Sequence, residues 1–139
     1  MKVAITGISS FLGRTLMPYL DQDETIREIV GLDIAEPPFE SSKVTFKKRD
    51  VRDPNIVEDL RGCDALIHLA FIVDPSKALK DVYSINVDGS KNVFESAAQA
   101  RLKKIIYTSS VAAYGSHPDN PTPIKEDFPL RKMEKPFYY

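Results

Sequence analysis

Apolar residues follow two patterns along this chain, short continuous runs and longer stretches at helical spacing, and the two alternate. Lys2 to Thr6 (KVAIT) is a β-branched apolar run and predicts a strand. From about Ser10, the residues Phe11, Leu12, Thr15, Leu16 and Tyr19 recur every three or four positions, which predicts a helix that Pro18 ends or kinks. REIVGLDIA predicts a second strand ending near Asp33, PPFESS a loop, and KVTFKKRD an alternating third strand. Asp53 and Pro54 form a cap-and-first-turn pair ahead of Ile56, Val57 and Leu60, a short helix that Gly62 closes. CDALIHLA predicts a fourth strand, with His68 pointing from its middle into the core. Leu79, Val82, Tyr83, Asn86, Ser90, Val93, Phe94 and Ala97 form one stripe on a single helix from about Ser76 to Arg101. KKIIYTSS predicts a fifth strand, and the polar, proline-rich stretch after Gly115 a surface loop.

Strands that alternate with helices and are apolar on both faces are parallel and covered on both sides. The expected fold is α/β, a doubly wound parallel sheet of strand order 3-2-1-4-5. Its ligands bind at the carboxyl ends of the strands, near the switch between strands 1 and 4.

A length of 139 residues makes one domain or part of one, and a hydrophobic fraction of 42% supplies its core. The formal net charge of -1 argues against a nucleic-acid partner. The run Lys47-Lys48-Arg49 reads as a solvated strand end. Cys63, the one cysteine, excludes an internal disulfide and reads as a buried thiol. His68 and His117 stand far apart without metal-ligand spacing, so no metal is expected. No apolar run approaches the roughly 18 residues of a membrane span. The N-terminus has no signal-peptide layout. A soluble, cytoplasmic protein is the expectation.

The chemistry starts at ITGISSFLGR, Ile5 to Arg14. Gly7 permits a tight turn after strand 1, and Gly13 permits close packing of helix on strand. The backbone N–H groups between them suit a pyrophosphate. Ser10 stands where a further glycine would complete the dinucleotide fingerprint. Asp33, at the end of strand 2, is placed to bind the ribose hydroxyls of adenosine, and its structural alternative is a turn aspartate. Ile34 and Ala35 follow it with no arginine for a 2′-phosphate, so NAD is favoured over NADP. Asp50-Val51 after strand 3, Leu69-Ala70 at the end of strand 4 and Ser109-Ser110 after strand 5 lie on the same sheet edge. Asp50-Val51 is placed to flank an adenine. Asn86 falls in the buried stripe and needs partners. It is either a core amide bonded to the sheet backbone, or a cofactor contact or brace for the strand-4 loop.

Taken in order, TGISSFLG, GLDIA, RDVRD, HLA, NVDGSKNV and YTSSVAAYG resemble the extended short-chain dehydrogenase/reductases, specifically the NAD-dependent epimerase/dehydratase family. The resemblance runs over nearly the whole chain. It implies a Rossmann domain whose dinucleotide loop is Gly7, Ser10, Phe11, Leu12 and Gly13, with Asp33 as ribose ligand and Asp50-Val51 at the adenine. It further implies that Leu69 and Ala70 pass the nicotinamide side, with Asn86 and Thr108 also counted at the cofactor.

Ser110 matches the catalytic serine or threonine. A Tyr-x-x-x-Lys pair follows downstream in the family, at a distance that Tyr139 matches, with Tyr138 second. The partner lysine would lie past the last residue. On that resemblance residues 1–139 are the N-terminal, NAD-binding part of a longer enzyme, without its substrate-binding part and inactive alone. The implied reaction is hydride transfer between NAD and a hydroxyl or keto group of a small-molecule substrate, a nucleotide sugar. Phe71, Ile72 and Val73 also suit an apolar alcohol. The family implies a homodimer paired through the helix near Asn86. A non-catalytic dinucleotide-binding sensor or scaffold module is the reading from another class.

Overall fold

The computed structural model describes residues 1–73 and 78–131. The chain divides into two units, Met1–Tyr107 and Thr108–Tyr139.

The first unit is a five-stranded parallel sheet of order β3-β2-β1-β4-β5, the order expected. The strands are β1 (Lys2–Thr6), β2 (Glu28–Asp33), β3 (Val44–Lys48), β4 (Ala65–His68) and β5 (Lys104–Tyr107). β1 and β4 are adjacent although a long stretch of chain separates them, and Thr6 registers with His68. β1 is also the neighbour of β2, with Thr6 opposite Leu32. The chain reverses its direction of winding across β1, and the carboxyl ends of β1 to β4 share one edge.

Two apolar layers cover the sheet. Ala4, Val30, Leu32 and Leu66 pack on one face with Ile56, Leu60, Val93 and Ala97. Val3, Ile5, Ile29 and Ile67 pack on the other with Ile8, Met17 and Ile26. The alternation of these strand residues between faces is the period-two rule at work. β5 is the exception: its four residues are all exposed.

Helix α1 (Phe11–Gln22) runs through Pro18 without ending there. Its buried side is not the stripe that spacing suggested. Gly13 and Met17 are buried, with Leu16 and Leu20 half-buried beside them, while Phe11 (72%) and Tyr19 (71%) are exposed. The shift follows from Gly13, which brings the helix so close to the loop that the face it lies on becomes the buried one.

Helix α2 (Ile56–Leu60) begins later than the Asp53-Pro54 pair predicted, with Asn55 at its cap. Asp53 instead makes an Asx turn, its Oδ1 accepting from the Asn55 N–H at 2.8 Å.

The expected single long helix is three pieces. They are α3 (Leu79–Tyr83), a π-helical turn (Ser84–Gly89) and α4 (Ser90–Gln99). His68 is the last residue of β4 rather than a mid-strand one, and it is fully buried.

The second unit is mostly irregular. A 3₁₀ turn (Val111–Tyr114) is capped by Ser110, and Arg131 closes the loop back, its N–H donating to the Ala113 carbonyl at 3.2 Å. Asn120 Nδ2 donates to the Gly115 carbonyl at 2.6 Å. No helix among the described residues is long and apolar enough to cross a membrane.

Candidate functional site

The β1–α1 loop is built on two positions without side chains. Gly7 has φ +75°, and a Cβ there would stand 2.5 Å from the Ala70 nitrogen and 2.7 Å from the Leu69 carbonyl carbon. A Cβ on Gly13 would run into the backbone carbonyls of Ile8 and Gly7. The loop therefore lies directly against the end of β4 and under the first turn of α1. Its backbone is held by Gly7 N–H to the Leu32 carbonyl (2.8 Å) and Ser10 N–H to the Gly7 carbonyl (3.0 Å).

Ser10 occupies extended backbone at φ -65°, so glycine's special conformations are not needed there. Its hydroxyl caps the helix, Oγ accepting from the Gly13 N–H at 3.1 Å. That leaves the Phe11 and Leu12 N–H groups, in the first turn of α1, with no intrahelical acceptor by their position. They form the positive end of a twelve-residue helix.

Asp33 ends β2. Its Oδ2 accepts from the Ser9 N–H at 2.9 Å, and its Oδ1 from the Ile34 and Ala35 N–H groups at 2.7 and 3.3 Å. The carboxylate thus ties the loop to the turn after β2, and the turn-aspartate alternative describes part of what it does. Lys48 is the partner of Asp33 in the ladder and is exposed.

At the end of β3, Asp50 pairs with Arg52 at 2.6 Å, and the Arg52 hydrogen bonds hold its carboxyl below the ordinary range. The Val51 side chain is buried in the core, so what Val51 presents at the edge is backbone. Asn92, which sequence reasoning passed over, fixes this segment. Its Nδ2 donates to the Val51 carbonyl at 2.7 Å and the Asp53 carbonyl at 3.0 Å. The spare asparagine in NVDGSKNV was the only signal, and spacing alone gave it no partner.

Arg49 and Lys47 are tied to buried Asp59 at 2.6 and 2.9 Å. Burial pushes the Asp59 carboxyl up, but these two cations outweigh it and hold it below its ordinary value.

At the end of β4, Leu69 is buried and Ala70 half-buried. Asn86 braces the stretch beyond Ala70: its Nδ2 donates to the Ile72 carbonyl and its Oδ1 accepts from the Ile72 N–H, both at 2.8 Å. Beneath lies a buried polar cluster. His68 Nδ1 shares a hydrogen bond with the Thr6 hydroxyl (2.5 Å) and Nε2 one with the Ser90 hydroxyl (2.9 Å). Tyr107 stacks on the ring and Phe94 meets it edge-on. Burial depresses the imidazole to about 4, so it is neutral near pH 7. Burial likewise raises the Cys63 thiol, as a packed, unreactive cysteine requires.

In the second unit, the Ser110 hydroxyl oxygen accepts from the Ala112 N–H at 3.2 Å. That bond uses a lone pair of the oxygen and not its O–H proton. Thr108 and Ser109 precede it and are exposed. Tyr138 and Tyr139 lie outside the described residues. Among the described residues no group of three or more His, Cys, Asp or Glu side chains is placed to hold a metal ion.

The family model for the NAD dependent epimerase/dehydratase family matches residues 3–138. A 3 beta-hydroxysteroid dehydrogenase/Delta 5-->4-isomerase of vaccinia virus is 32% identical over 119 residues, covering 81% of this chain and 34% of its own length. The solved structure of MoeE5 in complex with UDP-glucose and NAD is 27% identical with a TM-score of 0.77, covering 94% of this chain and 42% of that one. The Bordetella bronchiseptica enzyme WbmH in complex with NAD+ is 25% identical with a TM-score of 0.79, over 94% of this chain and 45% of that one. The chain spans about a third or less of the length of the curated relatives it matches.

Proposed function

The chain belongs to the NAD dependent epimerase/dehydratase family, and from that membership we propose that it is the NAD-binding Rossmann part of an oxidoreductase. The observation that carries this is one sheet edge. It brings together a glycine cradle closed against β4, a helix N-terminus with unspent N–H groups, and a carboxylate at the end of β2. These residues suit a dinucleotide. Phe11 and Leu12 N–H groups donate to pyrophosphate oxygens, and Asp33 accepts from a ribose hydroxyl.

NAD, when bound, supplies the acceptor or donor of a hydride. The chain's part is to hold the substrate oxygen and its proton. Ser110 donates its O–H to that oxygen, and Tyr139 exchanges the proton. Two copies would pair through the exposed side of the helical run, where Leu79, Tyr83 and Val87 stand, since Asn86 itself is buried.

For substrate, a nucleotide sugar is the reading that fits the neighbour solved with UDP-glucose and NAD. An apolar secondary alcohol is the second reading, favoured by the viral steroid enzyme's identity and by Phe71, Ile72 and Val73 following Ala70. Equilibrium binding of UDP-glucose against a hydroxysteroid, each with NAD present, separates the two.

Calorimetry with the 139-residue chain tests the cofactor assignment. NAD is expected to bind at least about tenfold more tightly than NADP, a difference of about 1.4 kcal/mol. Asp33→Ala removes that preference. Equal or reversed affinities in the parent chain would sink the assignment.

A further inference from the structure

At the end of β2 the hydrogen-bond donors are turned inwards. The Ser9, Ile34 and Ala35 N–H groups all go to the Asp33 carboxylate. The Ser9 hydroxyl donates to the Ala35 carbonyl at 2.7 Å. Ser9 therefore crosses from the glycine loop to the turn after β2 twice, once through its backbone and once through its side chain. A carboxylate has about four lone-pair sites, and three are used here. What remains is acceptor capacity on Oδ2. A ribose hydroxyl, which donates, is matched by that remainder. A 2′-phosphate only accepts, and the Ile34 and Ala35 N–H groups are already spent on Asp33.

Charge alone does not explain such a preference, because Lys48 stands opposite Asp33 in the ladder. A lysine there would attract a 2′-phosphate in the absence of anything else. The Ile34 and Ala35 N–H groups that such a phosphate would use are spent on Asp33 Oδ1, and the Ser9 hydroxyl fastens the same turn to the glycine loop through the Ala35 carbonyl.

We infer that Ser9 is a positioning residue that sets dinucleotide choice: its hydroxyl latches the turn after β2, so that Asp33 presents an acceptor to a 2′-hydroxyl and keeps the Ile34 and Ala35 N–H groups from a 2′-phosphate. This rests on the dinucleotide function proposed for the same site.

The test is titration of NAD and NADP into the parent chain, Ser9→Ala, Ser9→Thr, Asp33→Ala and the Ser9→Ala/Asp33→Ala double variant, with thermal melts alongside. Ser9→Ala is expected to weaken NAD about three- to tenfold, the size of one net hydrogen bond, without weakening NADP. The preference for NAD shrinks by that factor. Ser9→Thr keeps the hydroxyl and keeps the preference. In the Asp33→Ala background the Ser9→Ala change has no further effect, because the group it positions is gone. Proportional losses for both dinucleotides, an unchanged preference in Ser9→Ala, or the same loss without Asp33 would each overturn the latch while leaving the dinucleotide reading intact. A parent chain that binds neither ligand would overturn both.

Discussion

Replacing Gly7 by alanine tests the closest backbone approach in the site. Two costs arise at that position. The first is conformational: φ is +75°, and a side chain in the left-handed region costs about 1–2 kcal/mol. The second is steric. The new Cβ would stand 2.5 Å from the Ala70 nitrogen, 2.7 Å from the Leu69 carbonyl carbon and 2.8 Å from the Ala70 Cα. These are backbone atoms at the end of β4 and cannot swing aside as a flexible side chain would. Forcing extra volume into such a contact costs about 1–3 kcal/mol. Together the loss is about 2–5 kcal/mol, a large part of the roughly 5–15 kcal/mol that holds a domain folded.

Gly62 provides the control. It has nearly the same angle, φ +77°, but nothing lies within 4 Å of its ideal Cβ. Gly62→Ala carries the conformational cost alone. Urea denaturation of both variants, compared at unchanged m, should show Gly7→Ala the less stable by about 1–3 kcal/mol. Equal losses would mean that the contact with β4 is not what requires glycine at Gly7.

Ser10→Ala removes the α1 cap and should cost about 1 kcal/mol, whereas Ser10→Gly should cost only a few tenths and change NAD affinity by less than about tenfold; a larger gain in affinity would show that the hydroxyl obstructs the ligand. His68, held at about 4 by burial against an unfolded value near 6.5, is neutral in the fold, so its contribution is complete above about pH 6.5 and is lost as pH falls towards 4. The loss approaches about 3 kcal/mol, and urea midpoints from pH 7 to 4.5 that do not fall, or that fall equally in His68→Gln, would contradict it. Asp59→Asn leaves Lys47 and Arg49 without their shared carboxylate and should cost about 1–3 kcal/mol at pH 7, shrinking in strong acid where Asp59 itself protonates. A loss that is the same at low pH would mean that packing, not charge, is at stake.

The parallel sheet and its order were legible in the sequence because both rest on coarse signals. Apolar runs such as Val3 to Ile5 and Ala65 to Ile67 need burial on both faces, and helices between them force parallel connections. The errors lie where a local feature had to be weighed against tertiary contact. Phe11, Leu12 and Tyr19 recur at helical intervals, yet the buried face of α1 is the neighbouring stripe of Gly13, Leu16, Met17 and Leu20, whose spacing is as regular and which the close approach at Gly13 selects. Asp53-Pro54 looks like a cap, but the Asp53 side chain closes a turn with Asn55 first and the helix waits until Ile56. At the candidate site, residue types were readable and pairings were not. Nothing in the letters says that Ser9 bonds to Ala35, or Asn92 to the Val51 carbonyl, since each joins elements that only the fold brings together.

The interrupted helix shows what such pairings accomplish. A π turn carries more residues per turn than an α-helix, so the stripe on one side of it is rotated relative to the other. Val82, Asn86, Ser90, Val93 and Ala97 remain buried across the interruption, while Leu79 and Tyr83, part of the same predicted stripe, are 60% and 57% exposed. The displaced phase sets two contacts at once. Gly89 comes against Val51, where a Cβ would stand 2.5 Å from the Val51 Cγ2, and the Ser84 hydroxyl accepts from Arg52 at 3.2 Å. Asn86, between them in sequence, reaches the Ile72 backbone instead. One helical segment thus braces the loop after β3 and the loop after β4, which lie on opposite sides of β1 in the sheet, the β3 loop beyond the end of β2 and the β4 loop directly beside the glycine cradle. A regular α-helix would present these residues on a different phase and lose one brace or the other, which is a physical reason for the interruption to fall where it does.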